Sequence, residues 1–142
     1  VPLDTITYTS AISACGTCEQ WQQALLVMED MKRNKVPADT ITYTAVIKAC
    51  AKGGQWQIAL QLLNEMSDKG IPSNTMTYSA AISACERRGQ WQHALQVMKE
   101  MADKGVPANT ITYNSAISAC EKGGQWQRAL LMLDEMQVKG IP

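Results

Sequence analysis

Residues 40–74 read TITYTAVIKACAKGGQWQIALQLLNEMSDKGIPSN, and the rest of the chain repeats the same order of residue types. A tyrosine, a tryptophan and a methionine each recur four times at intervals of 35 residues, which gives the repeat length. They are Tyr8, Tyr43, Tyr78 and Tyr113; Trp21, Trp56, Trp91 and Trp126; and Met31, Met66, Met101 and Met136. A fixed period of this size is typical of proteins built from stacked structural repeats. The sequence therefore predicts four copies of one unit.

Each unit carries the signals of two helices. The first, helix A, follows an Asp-Thr or Asn-Thr pair typical of a helix N-cap, at Asp4, Asp39, Asn74 and Asn109. It ends at a glycine-containing break such as Gly53-Gly54, and helix B then runs from a Gln-Trp-Gln segment to a Lys-Gly pair. Glycine permits a left-handed cap there, and a following proline stops the helix, although Lys35 replaces the glycine in the first unit.

Both helices have one apolar face. In helix A of the first unit this face comprises Tyr8, Ala11, Ile12 and Cys15, spaced i, i+3, i+4 and i+7. A single hairpin cannot bury such a seam on both sides, so neighbouring hairpins must stack. We therefore predict an all-α fold, an α-solenoid that forms one array over residues 1–142. Its repeats are 5–39, 40–74, 75–109 and 110–142, the last one truncated.

Composition limits the possible functions. The chain has 13 Lys and Arg against 13 Asp and Glu, and this zero net charge argues against strong sequence-independent attraction to polyanions. No segment approaches the roughly 18 to 20 uninterrupted apolar residues of a membrane span. Four cysteines recur once per repeat and are predicted to be reduced core residues: Cys15, Cys50, Cys85 and Cys120. Both ends look cut, and neither terminal unit looks polar enough to be a cap, so we expect either a piece of a longer array or a chain docked against a partner.

A second face of helix A combines an apolar residue, a small polar residue and a cation. In residues 40–74 the members are Ile41, Thr44, Lys48 and Lys52, spaced 3, 4 and 4 residues apart. Equivalent sets are Ile6, Thr9, Ser13 and Thr17; Met76, Ser79, Ser83 and Arg87; and Ile111, Asn114, Ser118 and Lys122. Such a line offers a nucleobase a surface, a hydrogen-bonding partner and a charge for its phosphate. The alternative is that an exposed solenoid face must be polar in any case.

The segments ITYTAVI at 41–47, ALQLLNEM at 59–66 and KGI at 69–71 resemble the pentatricopeptide repeat signature, and the match recurs across essentially the whole chain. One departure is that the proline near the repeat end stands one position early, at Pro37, Pro72 and Pro107. Members of that family bind single-stranded RNA one base per repeat and work mainly in mitochondria and plastids. The resemblance therefore implies an organellar RNA-binding protein in RNA processing, stability or translation.

By the same resemblance, two residues of each repeat choose the base. The implied pairs are Thr9 with Asp39, Thr44 with Asn74, and Ser79 with Asn109, while Asn114 lacks its partner. The family's pairing rule then implies GAA followed by a pyrimidine, with Ile6, Ile41, Met76 and Ile111 flanking the bases and Lys52, Arg87 and Lys122 meeting phosphates. Alternatively, the Asp and Asn residues only cap helices, the apolar residues are interfacial, and the cations solubilise the turns.

No catalytic site is predicted. The single histidine, His93, has no repeated equivalent and is interpreted as a surface substitution. Cys15 and Cys18 form one C-x-x-C pair, but zinc needs four ligands and no further pair is close in sequence. We therefore expect no enzyme activity, no metal and no cofactor. The rival to RNA binding is a scaffold that holds protein partners or forms a structural subunit of a large organellar complex.

Overall fold

The computed structural model describes residues 4–18 and 20–141, and within them it contains eight α-helices and no strand. The helices form four hairpins: α1 (Thr5–Thr17) with α2 (Trp21–Arg33), α3 (Thr40–Lys52) with α4 (Trp56–Asp68), α5 (Thr75–Arg87) with α6 (Trp91–Asp103), and α7 (Thr110–Lys122) with α8 (Trp126–Val138). The odd-numbered helices are the predicted helices A and the even-numbered ones are helices B. The predicted all-α solenoid is confirmed, while residues 1–3, Glu19 and Pro142 of the predicted array lie outside the description.

The helix boundaries follow from their capping residues. At the start of α3 the carboxylate of Asp39 accepts a hydrogen bond from the backbone N–H of Thr42, at 2.9 Å. At the end of α4, Gly70 has a φ of +71°, and the N–H of Ile71 donates to the carbonyl of Met66 at 2.8 Å. Because an L side chain disfavours this left-handed conformation, the glycine suits the position and the helix ends there.

Lys35 occupies the position of that glycine in the first hairpin and has the same left-handed conformation, with a φ of +58°. A residue other than glycine in this left-handed conformation lowers the free energy of unfolding by about 1–2 kcal/mol. Glycine at the same position removes that cost, but its greater freedom in the unfolded chain offsets about 0.4–1 kcal/mol of the gain. Lys35→Gly is therefore expected to raise the free energy of unfolding by about 0.5–1 kcal/mol. Chemical denaturation measures the change, and Gly70→Ala at the equivalent position should shift it in the opposite direction.

The helices A form the inner layer of the row. Each one packs against its own helix B and against the helix A of the next hairpin, and each helix B packs against the following helix A. Among the described residues, the backbones of successive helices B do not come as close to one another as those of successive helices A. The row of hairpins therefore curves toward the helices A. The core between the layers contains the fully buried side chains of Tyr43, Ile47, Met66, Tyr78 and Ile82.

The cysteines provide a test of this packing. Cys50, Cys85 and Cys120 are buried and free, and burial raises the pKa of the Cys50 thiol to about 11 and that of Cys85 to about 12. Since the thiolate is the reactive form, these thiols should react with Ellman's reagent at pH 8 only after the protein is denatured. Cys18 is exposed and should react in the native protein. Rapid native reaction of all five thiols would contradict the burial.

In the part of the chain that the structure describes, no helix is both long and apolar enough to cross a membrane.

Candidate nucleic-acid interface

A line of apolar side chains runs along the inner layer. Near the start of each helix A one large apolar residue is exposed, and these residues are Ile6, Ile41, Met76 and Ile111. They are the residues that the sequence places beside the bases. This exposure is compatible with both interpretations of these residues, a surface that flanks bases and an interface with a partner. Exposed apolar side chains in a regular row offer surfaces on which flat, partly apolar groups can lie.

Two of the four small polar residues of this face are much less exposed than an open polar surface requires. Only 6% of the Thr44 surface and 7% of the Ser79 surface is accessible, because each lies against the next helix A. Thr9 is half-buried and Asn114 is exposed. The interpretation that this face is polar merely for solubility therefore does not account for Thr44 and Ser79.

Each predicted base-reading pair is joined through a third residue. The Oγ1 atoms of Thr44 and Thr77 lie 2.7 Å apart, and the Thr77 hydroxyl donates to Oδ1 of Asn74 at 2.9 Å. The same relay, with the same two distances, links Thr9 through Thr42 to Asp39, and Ser79 through Thr112 to Asn109. The structure thus brings together the two members of all three predicted pairs.

Sequence reasoning missed the linking threonines, although they recur 35 residues apart. A threonine three residues after an Asp or Asn cap is the pattern of a capping box, which α3, α5 and α7 all contain. That pattern would have marked Thr42, Thr77 and Thr112 as partners of the cap. It would not have shown their contact with the preceding helix A.

The capping and base-reading interpretations of the Asp and Asn residues are compatible. The backbone N–H of Thr42 lowers the pKa of Asp39 below its usual range, so the carboxylate is ionised at neutral pH. Capping uses Oδ1 of Asp39 and of Asn74. Among the described residues, no hydrogen bond engages the other carboxylate oxygen of Asp39 or the amide nitrogen of Asn74. Each cap therefore keeps one polar atom available to a ligand.

A cavity of about 400 Å³ lies at the third predicted site, between α3, α5 and α7. Its lining includes eight residues that the sequence singled out: Met76, Ser79, Ser83, Asn109, Ile111, Lys48, Lys52 and Arg87. The volume is within the range of small-molecule binding sites, and the lining combines apolar walls with a few polar groups. Residues predicted to flank a base, to read it and to contact its phosphate thus line the same cavity.

The three predicted phosphate-contacting cations are not equivalent. All three side chains are exposed, and the Lys52 ammonium has no hydrogen-bond partner among the described residues. Arg87 donates from Nη1 to the carbonyl of Lys52 at 2.6 Å, and Lys122 forms an ion pair with Glu86 at 2.8 Å. Arg88, which sequence reasoning missed, lines a cleft at the hairpin turn together with Lys52 and Arg87. Three cations, Lys52, Arg87 and Arg88, therefore line one cleft.

His93 lies away from this face. It is half-buried rather than on the open surface, because its ring packs 4.6 Å from that of Trp56 in the preceding hairpin. Within residues 4–18 and 20–141, no group of three His, Cys, Asp or Glu side chains is arranged to hold a metal ion.

Family models match nearly the whole chain. The model described as the PPR repeat family matches residues 3–52, 38–87 and 74–122, and the model described as the PPR repeat matches residues 111–141. The chain belongs to the pentatricopeptide repeat family. The resemblance found in the sequence is thereby confirmed.

Solved pentatricopeptide repeat structures share this arrangement of helices. The crystal structure of the protein PPR10 in complex with an 18-nt psaJ RNA element is similar with a TM-score of 0.90 and 27% identity, over 99% of this chain and 21% of that one. The structure of PPR10 from maize is similar with a TM-score of 0.74 and 29% identity, over 99% of this chain and 20% of that one. A third similar structure is the PPR domain of protein-only RNase P 1 from Arabidopsis thaliana in complex with tRNA. Its TM-score is 0.79 and its identity 16%, over 96% of this chain and 74% of that one, so it supports the fold alone.

The chain spans about a fifth of the PPR10 chain. No curated protein sequence matches this pentatricopeptide repeat chain.

Proposed function

We propose that this chain binds single-stranded RNA along its helices A, one base per repeat. The observation that carries the proposal is the relay-linked pair beside an exposed apolar residue, which occurs three times with the period of the fold. An apolar surface and a polar pair are what a splayed-out base requires. The similar PPR10 structure holds an 18-nt RNA, which supports the same role for the shared helices.

The proposed target begins with guanine. By the pairing rule of the family, Thr9 with Asp39 selects G, and both Thr44 with Asn74 and Ser79 with Asn109 select A. By the same rule, Asn114 of the fourth repeat favours a pyrimidine. The expected sequence, read 5′ to 3′ from the N-terminal repeat, is GAAU or GAAC.

The chain acts by position, not by bond chemistry, in this proposal. It holds an RNA segment in a mitochondrion or plastid and thereby affects RNA processing, stability or translation. Four bases that each contribute about 1–3 kcal/mol supply about 4–12 kcal/mol, against an association cost of about 4–15 kcal/mol. Four repeats alone therefore bind weakly, and the single array gains useful affinity as part of a longer one.

Titration against labelled GAAU and GAAC tests the proposal, with a scrambled RNA and the matching DNA as controls at two salt concentrations. Selective binding that weakens with salt is the expected result, and it should be lost in a Thr44→Ala and Asn74→Ala double variant. Equally weak binding to every oligonucleotide would overturn the proposal.

Glu86→Gln is expected to strengthen RNA binding, because it releases Lys122 from its ion pair and removes a negative charge from the cavity. The slope of log K against log salt should steepen by about 0.7 for the one cation released. Glu100→Gln on α6 changes the net charge equally but lies on a helix B, so its effect should be smaller. An equal gain in the two variants would mean that the cavity is not where phosphate binds.

The scaffold alternative has one observation in its favour. Several large apolar side chains of α8 are exposed, including Trp126 at 65% and Leu131 at 68%. Another hairpin of the same kind, or a protein partner, would cover this face. A scaffold role becomes the better account if RNA binding proves unselective.

A further inference from the structure

We infer that Thr42, Thr77 and Thr112 are positioning residues that turn the hydroxyl groups of Thr9, Thr44 and Ser79 into hydrogen-bond acceptors toward RNA. The inference rests on the proposed function and adds the direction of each hydrogen bond. That direction determines which base edges can pair with each site.

The linking threonine of the second pair, Thr77, has a hydroxyl proton whose acceptor is fixed by its neighbours. The backbone N–H of Asn74 lies 3.3 Å from Oγ1 of Thr77, and an N–H can only donate. Oδ1 of Asn74 accepts from the backbone N–H of Thr77 at 3.0 Å, which identifies it as the carbonyl oxygen of the amide. An amide oxygen can only accept, so the single hydroxyl proton of Thr77 is donated to Asn74.

The proton between the two threonines must then come from Thr44. The two oxygens lie 2.7 Å apart, a hydrogen-bonding distance, and the proton of Thr77 is already committed. Thr44 therefore donates its own proton to Thr77, which now makes one donated and two accepted hydrogen bonds, the full set for a hydroxyl. Only lone pairs of the Thr44 oxygen remain for a base.

Burial holds this arrangement in place. Thr42, Thr77 and Thr112 are each fully buried, so water does not compete for their hydroxyls. The equivalent backbone N–H lies 3.4 Å from Thr42 Oγ1 and 3.2 Å from Thr112 Oγ1. The same proton order therefore applies to all three relays.

The order of donors and acceptors selects the bases. At the second site Thr44 accepts and the free amide nitrogen of Asn74 donates, which suits a base edge with an amino donor beside a ring-nitrogen acceptor. On their Watson–Crick edges adenine and cytosine have this pair of groups, whereas guanine and uracil do not. At the first site both Thr9 and Asp39 accept, and only guanine offers two adjacent donors, its N1–H and its amino group. The relay thus accounts chemically for G at the first site and for the preference for A over G at the second.

Thr77→Val tests the inference, because valine has a similar shape and can neither donate nor accept. The unsubstituted chain is expected to bind GAAU about tenfold more tightly than GGAU. Thr77→Val frees the Thr44 proton, so this ratio at the second nucleotide should fall to about threefold or less. The ratio of GAAU to AAAU at the first nucleotide should stay unchanged, since Thr42 is intact.

Thr77→Ser is the matched control, because serine keeps the hydroxyl and should restore the full ratio at the second nucleotide. A purely structural role for Thr77 would weaken binding to all these RNAs equally and leave the ratio unchanged, and that result would overturn the inference. Failure of the unsubstituted chain to bind any RNA selectively would overturn the proposed function as well, so the two failures are distinguishable.

Discussion

Replacement of Ile47 by alanine is expected to lower the free energy of unfolding by about 2–5 kcal/mol. Ile47 lies on α3 and is fully buried in the core between successive hairpins. Its replacement leaves a cavity in the core whose lining cannot fully collapse. Urea denaturation followed by circular dichroism at 222 nm measures the change.

Ile41→Ala is the matched control on the same helix. Ile41 is 66% exposed, so its replacement should change the free energy of unfolding by no more than about 0.5 kcal/mol. Its expected effect is on RNA binding instead, with a loss of about 1–3 kcal/mol if a base lies against it. Equal destabilisation by the two substitutions would show that the two faces of α3 are assigned incorrectly.

Asp39→Asn is expected to change the preferred first nucleotide from guanine to adenine. The substitution keeps the helix cap, because Asn and Asp cap almost equally well. It replaces the free carboxylate oxygen, an acceptor, by an amide nitrogen, a donor. The ratio of affinities for GAAU and AAAU should shift by at least about tenfold toward AAAU. Competition between labelled and unlabelled RNA, followed by fluorescence anisotropy, gives this ratio directly.

Asp4→Asn separates base reading from a simple change of charge. Asp4 caps α1 through the same hydrogen bond, from the N–H of Thr7 at 2.9 Å, but no base-reading hydroxyl of the described chain is linked to it. This variant should leave the nucleotide preference unchanged. A shift toward AAAU in both variants would mean that charge, not hydrogen-bond direction, decides the result.

The preference for guanine should also be independent of pH between 5 and 8. A lowered pKa means that Asp39 stays ionised throughout this range, so its acceptor is always present. The stabilising effect of the ionised cap is fully present above the pKa of the unfolded chain and is lost only as the pH falls through the lower, folded value.

Features that depend on neighbours within one repeat were predictable from the sequence. The caps at Asp39 and Asn74, the glycine at Gly70 and the two helices of each hairpin follow from local residue types and a constant period. The exposure of Ile41 also followed, because its position on the helix is fixed by spacing alone.

Features that depend on how hairpins stack were not predictable in this way. The hydrogen bond between Thr44 and Thr77 joins residues 33 positions apart, and the ion pair of Lys122 with Glu86 joins residues 36 apart. Both arise because successive helices A pack directly against one another. The same packing buries Thr44, which the sequence alone places on an open polar face, and the stacking of hairpins covers part of His93.

The central claim, that RNA lies along the helices A and contacts the relay-linked pairs, is tested most directly by nuclear magnetic resonance. A ¹⁵N-labelled chain would be titrated with GAAU and with a scrambled RNA, a measurement that tolerates weak binding. We predict that GAAU shifts the side-chain amide signals of Asn74 and Asn109 and the backbone signals of α3, α5 and α7, while the scrambled RNA shifts them less. Equal shifts with both RNAs, or shifts confined to α2, α4, α6 and α8, would contradict the claim.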